Sequence, residues 1–272
     1  MNDFSLLEKK ANRVRLETLE TIYKSGKGHI GSTFSCCELL VALYFGKVLN
    51  FNPKRIKDKN RDRFILSKGH ACLALYAISR DLGIISQKKF LSYGKDGGLG
   101  GQLDVNIPGV DFNTGSLGHS IGVGEGMALA GKLNKLNYTV YTLIGDSELY
   151  EGSCWEAIIF AGDQKINNLV VIIDRNRFMV TDKLEDNAIY KDLDVKIKKL
   201  DWDYFEIDNG HDFKQIIPTL KKATSSKKPA MVIANTIKGK GISFMENGLG
   251  WYTQVPSKEE YEKAKEELLK SS

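Results

Sequence analysis

The chain has 272 residues, of which 42% are hydrophobic, so it is long enough to bury a substantial core in one or two domains. Its formal net charge of +5 arises from 39 basic and 34 acidic residues that are spread along the sequence. The lysine-rich stretches 196–199 and 221–228 lack interleaved aromatic residues, which is typical of solvated helix faces and argues against a nucleic-acid surface.

The sequence shows no linker, no low-complexity tract and no internal repeat, which predicts one domain over residues 1–272. It has no apolar run long enough for a signal peptide or a membrane span, so we expect a cytoplasmic protein with no membrane partner. Four cysteines lie in apolar helical stretches without metal-ligand spacing, namely Cys36, Cys37, Cys72 and Cys154. This pattern is typical of packing thiols in a reducing compartment.

Helical and strand patterns alternate along the chain. Helices are predicted from a capping box at Ser5 to about Lys24, then over 36–48, 71–82, 121–132, 155–161 and 213–223, and from Ser257 onward. Short buried strands are predicted over 61–67, 139–144, 169–173, 201–207 and 229–234. The alternation predicts an α/β fold, a parallel sheet with helices on both faces.

Two of the predicted strands are followed by side chains with oxygen donors. Strand 139–144 leads into Gly145, Asp146 and Ser147, and strand 169–173 leads to Asn176. The helix between the two strands makes them parallel, so both polar ends emerge at one sheet edge, where ligands bind. Asp146 and Asn176 could therefore share a magnesium ion. The alternative is that Asp146 only begins a helix and Asn176 only makes a turn.

Each of the four histidines follows a glycine: His29, His70, His119 and His211. A histidine in a glycine-rich loop can reach a ligand, although Gly-His also occurs in turns without a function. His211 precedes Asp212, which is a favourable helix start, so we expect a structural role for His211.

The segments GDSELYEGSCWEA and NLVVIIDRN resemble the thiamine diphosphate motif of the transketolase family. The resemblance implies a divalent cation, Mg²⁺ or another such as Ca²⁺ or Mn²⁺, held by the Asp146 and Asn176 side chains and the Phe178 carbonyl. That cation would bind the diphosphate of the cofactor thiamine diphosphate. Gly145 and Ser147 occupy the glycine positions of the motif, and the Ser147 backbone amide can still contact a phosphate.

Other segments extend the resemblance over almost the whole chain. SGKGHIG and RDRFILSKGHACLALYA are similar to family segments whose histidines contact the sugar and the cofactor, which implies these roles for His29 and His70. TGSLG resembles the turn that faces the thiamine, which implies cofactor contacts at Gly115 and Leu117. TIKGKG resembles a turn whose first lysine, here Lys238, lies near the diphosphate.

The resemblance also implies a second type of subunit. The family's activating glutamate lies in a pyrimidine-binding domain, so we expect a C-terminal transketolase-like partner, with two copies of each chain in a heterotetramer. Glu151 is expected to meet the partner's acidic network. His119 follows TGSLG as in the related deoxyxylulose-phosphate synthases. With these two residues, the implied catalytic set is His29, His70, His119 and Glu151.

The chain departs from the family pattern at Gln102 and Tyr252, which match positions where transketolases usually carry histidines. These replacements would remove two proton-relaying groups from the substrate site, while His119 adds one. A loop insertion that misaligns Gln102 is the alternative.

The expected reaction is transfer of a two-carbon ketol unit between sugar phosphates. The alternatives are a modified or nucleotide-linked sugar as substrate, pyruvate as donor, or a non-catalytic regulatory protein that binds thiamine diphosphate. The presence of both metal ligands disfavours the regulatory protein. A magnesium phosphohydrolase would need a second aspartate on the Asp146 loop, which the sequence lacks.

Overall fold

Five parallel strands form one sheet in the computed structural model, which describes residues 4–180, 182–184 and 188–270. The strand order is β1-β2-β3-β5-β4. The strands are β1 (Arg63–Leu66), β2 (Val140–Gly145), β3 (Leu169–Arg175), β4 (Asp203–Ile207) and β5 (Ala230–Asn235). Each coincides with a predicted strand, because each is an apolar run that a polar or glycine-containing turn ends.

Helices precede, connect and follow the strands. Within the described residues they are α1 (Phe4–Ser25), α2 (Ile30–Ser35), α3 (Cys37–Phe45), α4 (Cys72–Asp81), α5 (Gln87–Phe90), α6 (Ser120–Leu133), α7 (Gly152–Asp163), α8 (Leu193–Lys199), α9 (Phe213–Thr224) and α10 (Lys258–Lys270). The sequence pattern does not predict α2. All six of its residues are buried, so it has no amphipathic periodicity to detect.

Successive strand residues point into two different apolar cores. Tyr141 and Leu143 pack with residues of α1, α3, α4 and α9, whereas Val140 and Ile144 pack with residues of α6, α7 and α8. The sheet is therefore covered by helices on both faces, which confirms the predicted fold class. All four cysteines are free and buried, in agreement with packing thiols.

The α6 helix packs closely on the sheet at one glycine but not at another. A Cβ atom at Gly124 would lie 2.7 Å from Thr142 Cγ2 on β2, whereas a Cβ atom at Gly126 would meet nothing within 4 Å. We expect Gly124→Ala to lower the free energy of unfolding by about 1–3 kcal/mol through overpacking. Gly126→Ala should raise it by about 0.5–1 kcal/mol, because alanine favours helix. Urea unfolding of the two variants measures both effects, and equal effects would contradict this packing.

Candidate functional site

A cleft opens at the carboxyl ends of β1, β2 and β3, where the sequence predicts ligand binding. Its lining side chains are Ser32, Lys68, His70, Leu117, Gly145, Asp146, Ser147, Glu148, Asn176, Phe178, Met179, Val180, Lys238 and Tyr252. The structure thus brings together most of the residues predicted for the metal and the cofactor, although they are far apart in the sequence.

Asp146 follows β2 directly and is only 1% exposed. Its Oδ1 accepts a hydrogen bond from the Ser147 N–H at 2.9 Å, and its Oδ2 accepts one from the Arg177 N–H at 2.6 Å. Burial raises the pKa of Asp146 to about 7, and the neighbouring Asp174 carboxylate contributes to the shift. The protein therefore compensates this charge poorly, and a bound cation would complete the compensation.

Asn176 lies just beyond β3 and is 5% exposed. Its Oδ1 accepts a hydrogen bond from the Phe178 N–H at 3.1 Å, while its Nδ2 lies 3.4 Å from both Ser35 Oγ and Asp174 Oδ2. A carboxylate and an amide oxygen on one cleft wall are hard donors that fit a divalent cation with water or phosphate as its other ligands. The described residues contain no cluster of three or more His, Cys, Asp or Glu that could hold a metal ion, so a zinc-type site is not formed among them.

Two buried lysines line the same cleft. Lys68 Nζ pairs with Asp174, and although burial opposes the charge, this partner raises the pKa of Lys68. Lys238 Nζ donates a hydrogen bond to the Met179 carbonyl at 3.0 Å, and burial together with Lys68 lowers the pKa of Lys238. Their positive charges, together with the anionic Asp146, suit a ligand that combines a diphosphate with a cation.

Glu148 connects the loops that surround the cleft. Its Oε1 accepts from the Gly145 N–H at 2.9 Å, and its Oε2 accepts from the Gly118 N–H at 2.8 Å and from the Ser67 hydroxyl. The ends of β1 and β2 and the glycine turn before α6 are therefore held by one side chain. The sequence analysis does not identify this role, although Glu148 has the capping-box spacing from Gly145.

His29, His70 and Tyr252 form an aromatic cluster at the cleft. The ring centroids of the two histidines are 5.3 Å apart, and that of Tyr252 lies 4.9 Å from His29 and 5.9 Å from His70. Burial lowers the pKa of both histidines, and Lys68 adds to the effect on His70. Both imidazoles are therefore neutral near pH 7, when each can donate one hydrogen bond and accept another.

Gln102 lies beside the cleft. A Cβ atom on Gly69 would come within 2.5 Å of Gln102 Oε1, and a Cβ atom on Gly115 within 3.2 Å of Gln102 Cδ. The Gln102 side chain thus fills the gap between the turn that carries His70 and the turn at Gly115, where φ is +142°. That backbone conformation favours glycine and explains its presence at position 115.

The structure does not bring His119 and Glu151 into the cleft. His119 is exposed at the start of α6, and Glu151 is exposed at the start of α7. Both lie beside Gly118, on a surface groove that also contains Glu125 and Phe160. Their predicted roles therefore depend on contacts outside this chain.

His211 occupies a structural position behind Lys238. Arg15 donates to both carboxylate oxygens of Glu38 at 2.6 Å, and His211 Nδ1 lies 2.8 Å from the same carboxylate. His211 Nε2 accepts a hydrogen bond from the Ile237 N–H at 2.9 Å, so the proton of the neutral ring is on Nδ1. This chain of contacts fixes the turn that carries Lys238.

Residues 7–268 match the family model for the transketolase, thiamine diphosphate binding domain. One of the two subunits of an apulose-4-phosphate transketolase from Phocaeicola vulgatus is 40% identical over 264 residues, which cover 96% of this chain and 92% of that protein. A 6-deoxy-6-sulfo-D-fructose transketolase subunit from Clostridium sp. is 36% identical over 97% of this chain and 96% of that protein. The crystal structure of transketolase from Campylobacter jejuni superposes with a TM-score of 0.91 and 28% identity, over 98% of this chain and 43% of that one.

The parallel sheet, with its charged cleft at the carboxyl ends of the strands, defines an α/β cofactor-binding enzyme. The family match and these identities show that the chain belongs to the transketolase family of thiamine diphosphate-dependent transferases. It spans 43% of the Campylobacter transketolase chain and 39% of human transketolase. Within the described residues, no helix has the length and apolar character needed to cross a membrane.

Proposed function

We propose that this chain, as one domain over residues 1–272, is the N-terminal subunit of a Mg²⁺-dependent transketolase-like enzyme that transfers a two-carbon ketol unit between sugar phosphates. The observation that carries the proposal is the convergence of Asp146 and Asn176 with two buried lysines, Lys68 and Lys238, on one cleft. This set provides oxygen ligands for a cation and positive charge for a diphosphate at the same place. Free buried cysteines agree with a cytoplasmic location.

The cation would be held by the Asp146 and Asn176 side chains and the Phe178 carbonyl. Gly145, Ser147 and Lys238 would contact the diphosphate, while Gly115 and Leu117 would contact the thiamine. The bound cofactor would supply the carbon nucleophile that accepts the ketol unit. This chain's residues orient the reactants and exclude water from the buried cation ligands.

The neutral imidazoles of His29 and His70 would bind hydroxyl groups of the sugar. Each ring can donate a proton at one nitrogen and accept a hydrogen bond at the other, which suits proton transfer to and from a hydroxyl. The Nδ1 atom of His29 is buried and has no hydrogen-bond partner among the described residues. A substrate hydroxyl would satisfy it.

A partner subunit would complete the enzyme. Two relatives whose names describe them as transketolase subunits match this chain over 92% and 99% of their own length, so their names imply a second component for a protein of this size. We propose a pyrimidine-domain partner that supplies the activating carboxylate, in a heterotetramer. The exposed His119 and Glu151 beside Gly118 would contact it.

A second candidate is transfer to or from a modified sugar. Tyr252 lies against both cleft histidines at a position where the family usually has another histidine. The relatives' names refer to apulose-4-phosphate and 6-deoxy-6-sulfo-D-fructose, which are not the usual pentose phosphates. The same site could therefore serve a modified substrate.

The purified chain alone is expected to show no ketol transfer, because the carboxylate that activates the cofactor lies on the partner. Adding the cognate partner subunit with thiamine diphosphate and Mg²⁺ should restore turnover. The measurement is a coupled assay of product formation at increasing partner concentration. Turnover by the chain alone, with no contaminating transketolase detected by mass spectrometry, would refute the two-subunit proposal.

A further inference from the structure

A buried polar cluster lies directly behind Asn176. Asp174 is fully buried and accepts hydrogen bonds from Ser35 Oγ at 2.6 Å, from Lys68 Nζ and from Thr236 Oγ1. Ser35 ends α2, while Lys68 and Thr236 follow β1 and β5. The Asp174 carboxylate therefore joins three separate elements at the carboxyl edge of the sheet.

The cost of burying this ion pair suggests that it has a role beyond stability. Lys68 is 1% exposed and Asp174 is 0% exposed. Removing two charges from water costs several kcal/mol, and a packed apolar pair of similar volume often gives equal stability. Buried ion pairs of this kind are best explained by the geometry that they impose on their neighbours.

The neighbour in this case is the side-chain amide of Asn176. Its Nδ2 is 3.4 Å from Asp174 Oδ2 and from Ser35 Oγ, and its Oδ1 accepts from the Phe178 N–H. A carboxylate with a lysine partner can only accept hydrogen bonds, and a backbone N–H can only donate. Only one of the two orientations of the amide satisfies both constraints, and it turns Oδ1 away from Asp174.

We propose that Asp174, held in place by Lys68, is a positioning residue that fixes the Asn176 amide with its oxygen available to the cation. The inference rests on the proposed function, because it requires a cation at Asp146 and Asn176. Without the carboxylate, the amide can rotate and present its N–H₂ group, which repels a cation. Groups that orient metal ligands in this way typically change metal affinity by about 10- to 100-fold.

The test is Mn²⁺ binding to the full chain in the presence of thiamine diphosphate, followed by the electron paramagnetic resonance signal of free Mn²⁺. The double variant Lys68→Met/Asp174→Asn removes both charges and leaves neither unpaired. We expect its Mn²⁺ affinity to fall by about 10- to 100-fold. The matched control is Arg61→Met/Asp111→Asn, which removes the mostly buried Arg61–Asp111 ion pair at the amino end of β1. Its Mn²⁺ affinity should stay within about twofold of the unsubstituted chain.

Thermal unfolding without ligands shows whether each variant is folded. Ser35→Ala is a milder variant that removes one acceptor near Asn176 Nδ2, and it should weaken Mn²⁺ binding by about threefold to tenfold even if the double variant does not fold. Because the Asp146 carboxylate remains, saturating Mn²⁺ should restore thiamine diphosphate binding in both variants. A purely structural defect would not recover with added cation.

The outcomes separate this proposal from the proposed function. If Asn176→Ala loses Mn²⁺ affinity while the double variant and Ser35→Ala bind as tightly as the unsubstituted chain, the positioning role is overturned and the cation site stands. If Asp146→Ala and Asn176→Ala also bind Mn²⁺ unchanged, or the unsubstituted chain takes up no Mn²⁺ with thiamine diphosphate, the cation site itself is wrong.

Discussion

Asp146→Ala is expected to lower the affinity for thiamine diphosphate by at least about 100-fold, because the diphosphate charge loses its cation. The substitution also removes a buried carboxylate that the protein alone compensates poorly, so stability without ligands should not fall for electrostatic reasons. The cofactor-induced rise in unfolding temperature should therefore disappear while the ligand-free transition stays cooperative. Calorimetric titration in the presence of the partner measures the affinity directly.

Two further variants sharpen this experiment. Asp146→Asn keeps the shape and one oxygen donor but not the charge, so it should retain a small part of the affinity at high Mg²⁺ concentration. Asp163→Ala removes an exposed aspartate at the end of α7 and should leave cofactor binding unchanged. Unchanged affinity in Asp146→Ala would show that the cation is not held there.

The strands and the two proposed cation ligands are predictable from sequence, because their signals are local. An apolar run followed by Gly145 and Asp146 specifies both a strand end and an oxygen donor, and parallel strands place such ends at one edge. The structure places Asp146 and Asn176 on that edge, within one cleft. The helix α2 carries no such signal, because all of its side chains are buried.

The polar groups behind the site depend on partners that are distant in the sequence. Lys68 and Asp174 are 106 positions apart, and nothing in either segment shows that both charges are buried and paired. The parity of β3 offers a partial signal, since Asp174 and Asn176 are two residues apart and therefore lie on one face of the strand end. The exposed positions of His119 and Glu151 could not be predicted from motifs, because their contacts belong to a partner surface.

Low efficiency on ordinary pentose phosphates is the second large effect that we expect. Tyr252 lies 4.9 Å from His29 and 5.9 Å from His70 between ring centroids, so it faces the reacting part of the cleft. A phenol is a much weaker acid than an imidazolium and cannot replace its proton transfer at neutral pH. With xylulose 5-phosphate and ribose 5-phosphate, the assembled enzyme should show a kcat/KM below about 10⁴ M⁻¹s⁻¹.

The assay compares this pentose pair with pyruvate and with a series of modified and nucleotide-linked sugars. Tyr252→His should raise kcat/KM on the pentose pair by about tenfold or more, since an imidazole restores a proton-transferring group beside His29 and His70. Tyr204→Phe, on the edge strand β4, controls for the loss of a tyrosine hydroxyl outside the cleft and should leave the preference unchanged. If the unsubstituted enzyme exceeds about 10⁴ M⁻¹s⁻¹ on the pentose pair, Tyr252 and Gln102 are harmless replacements and the chain is half of an ordinary transketolase.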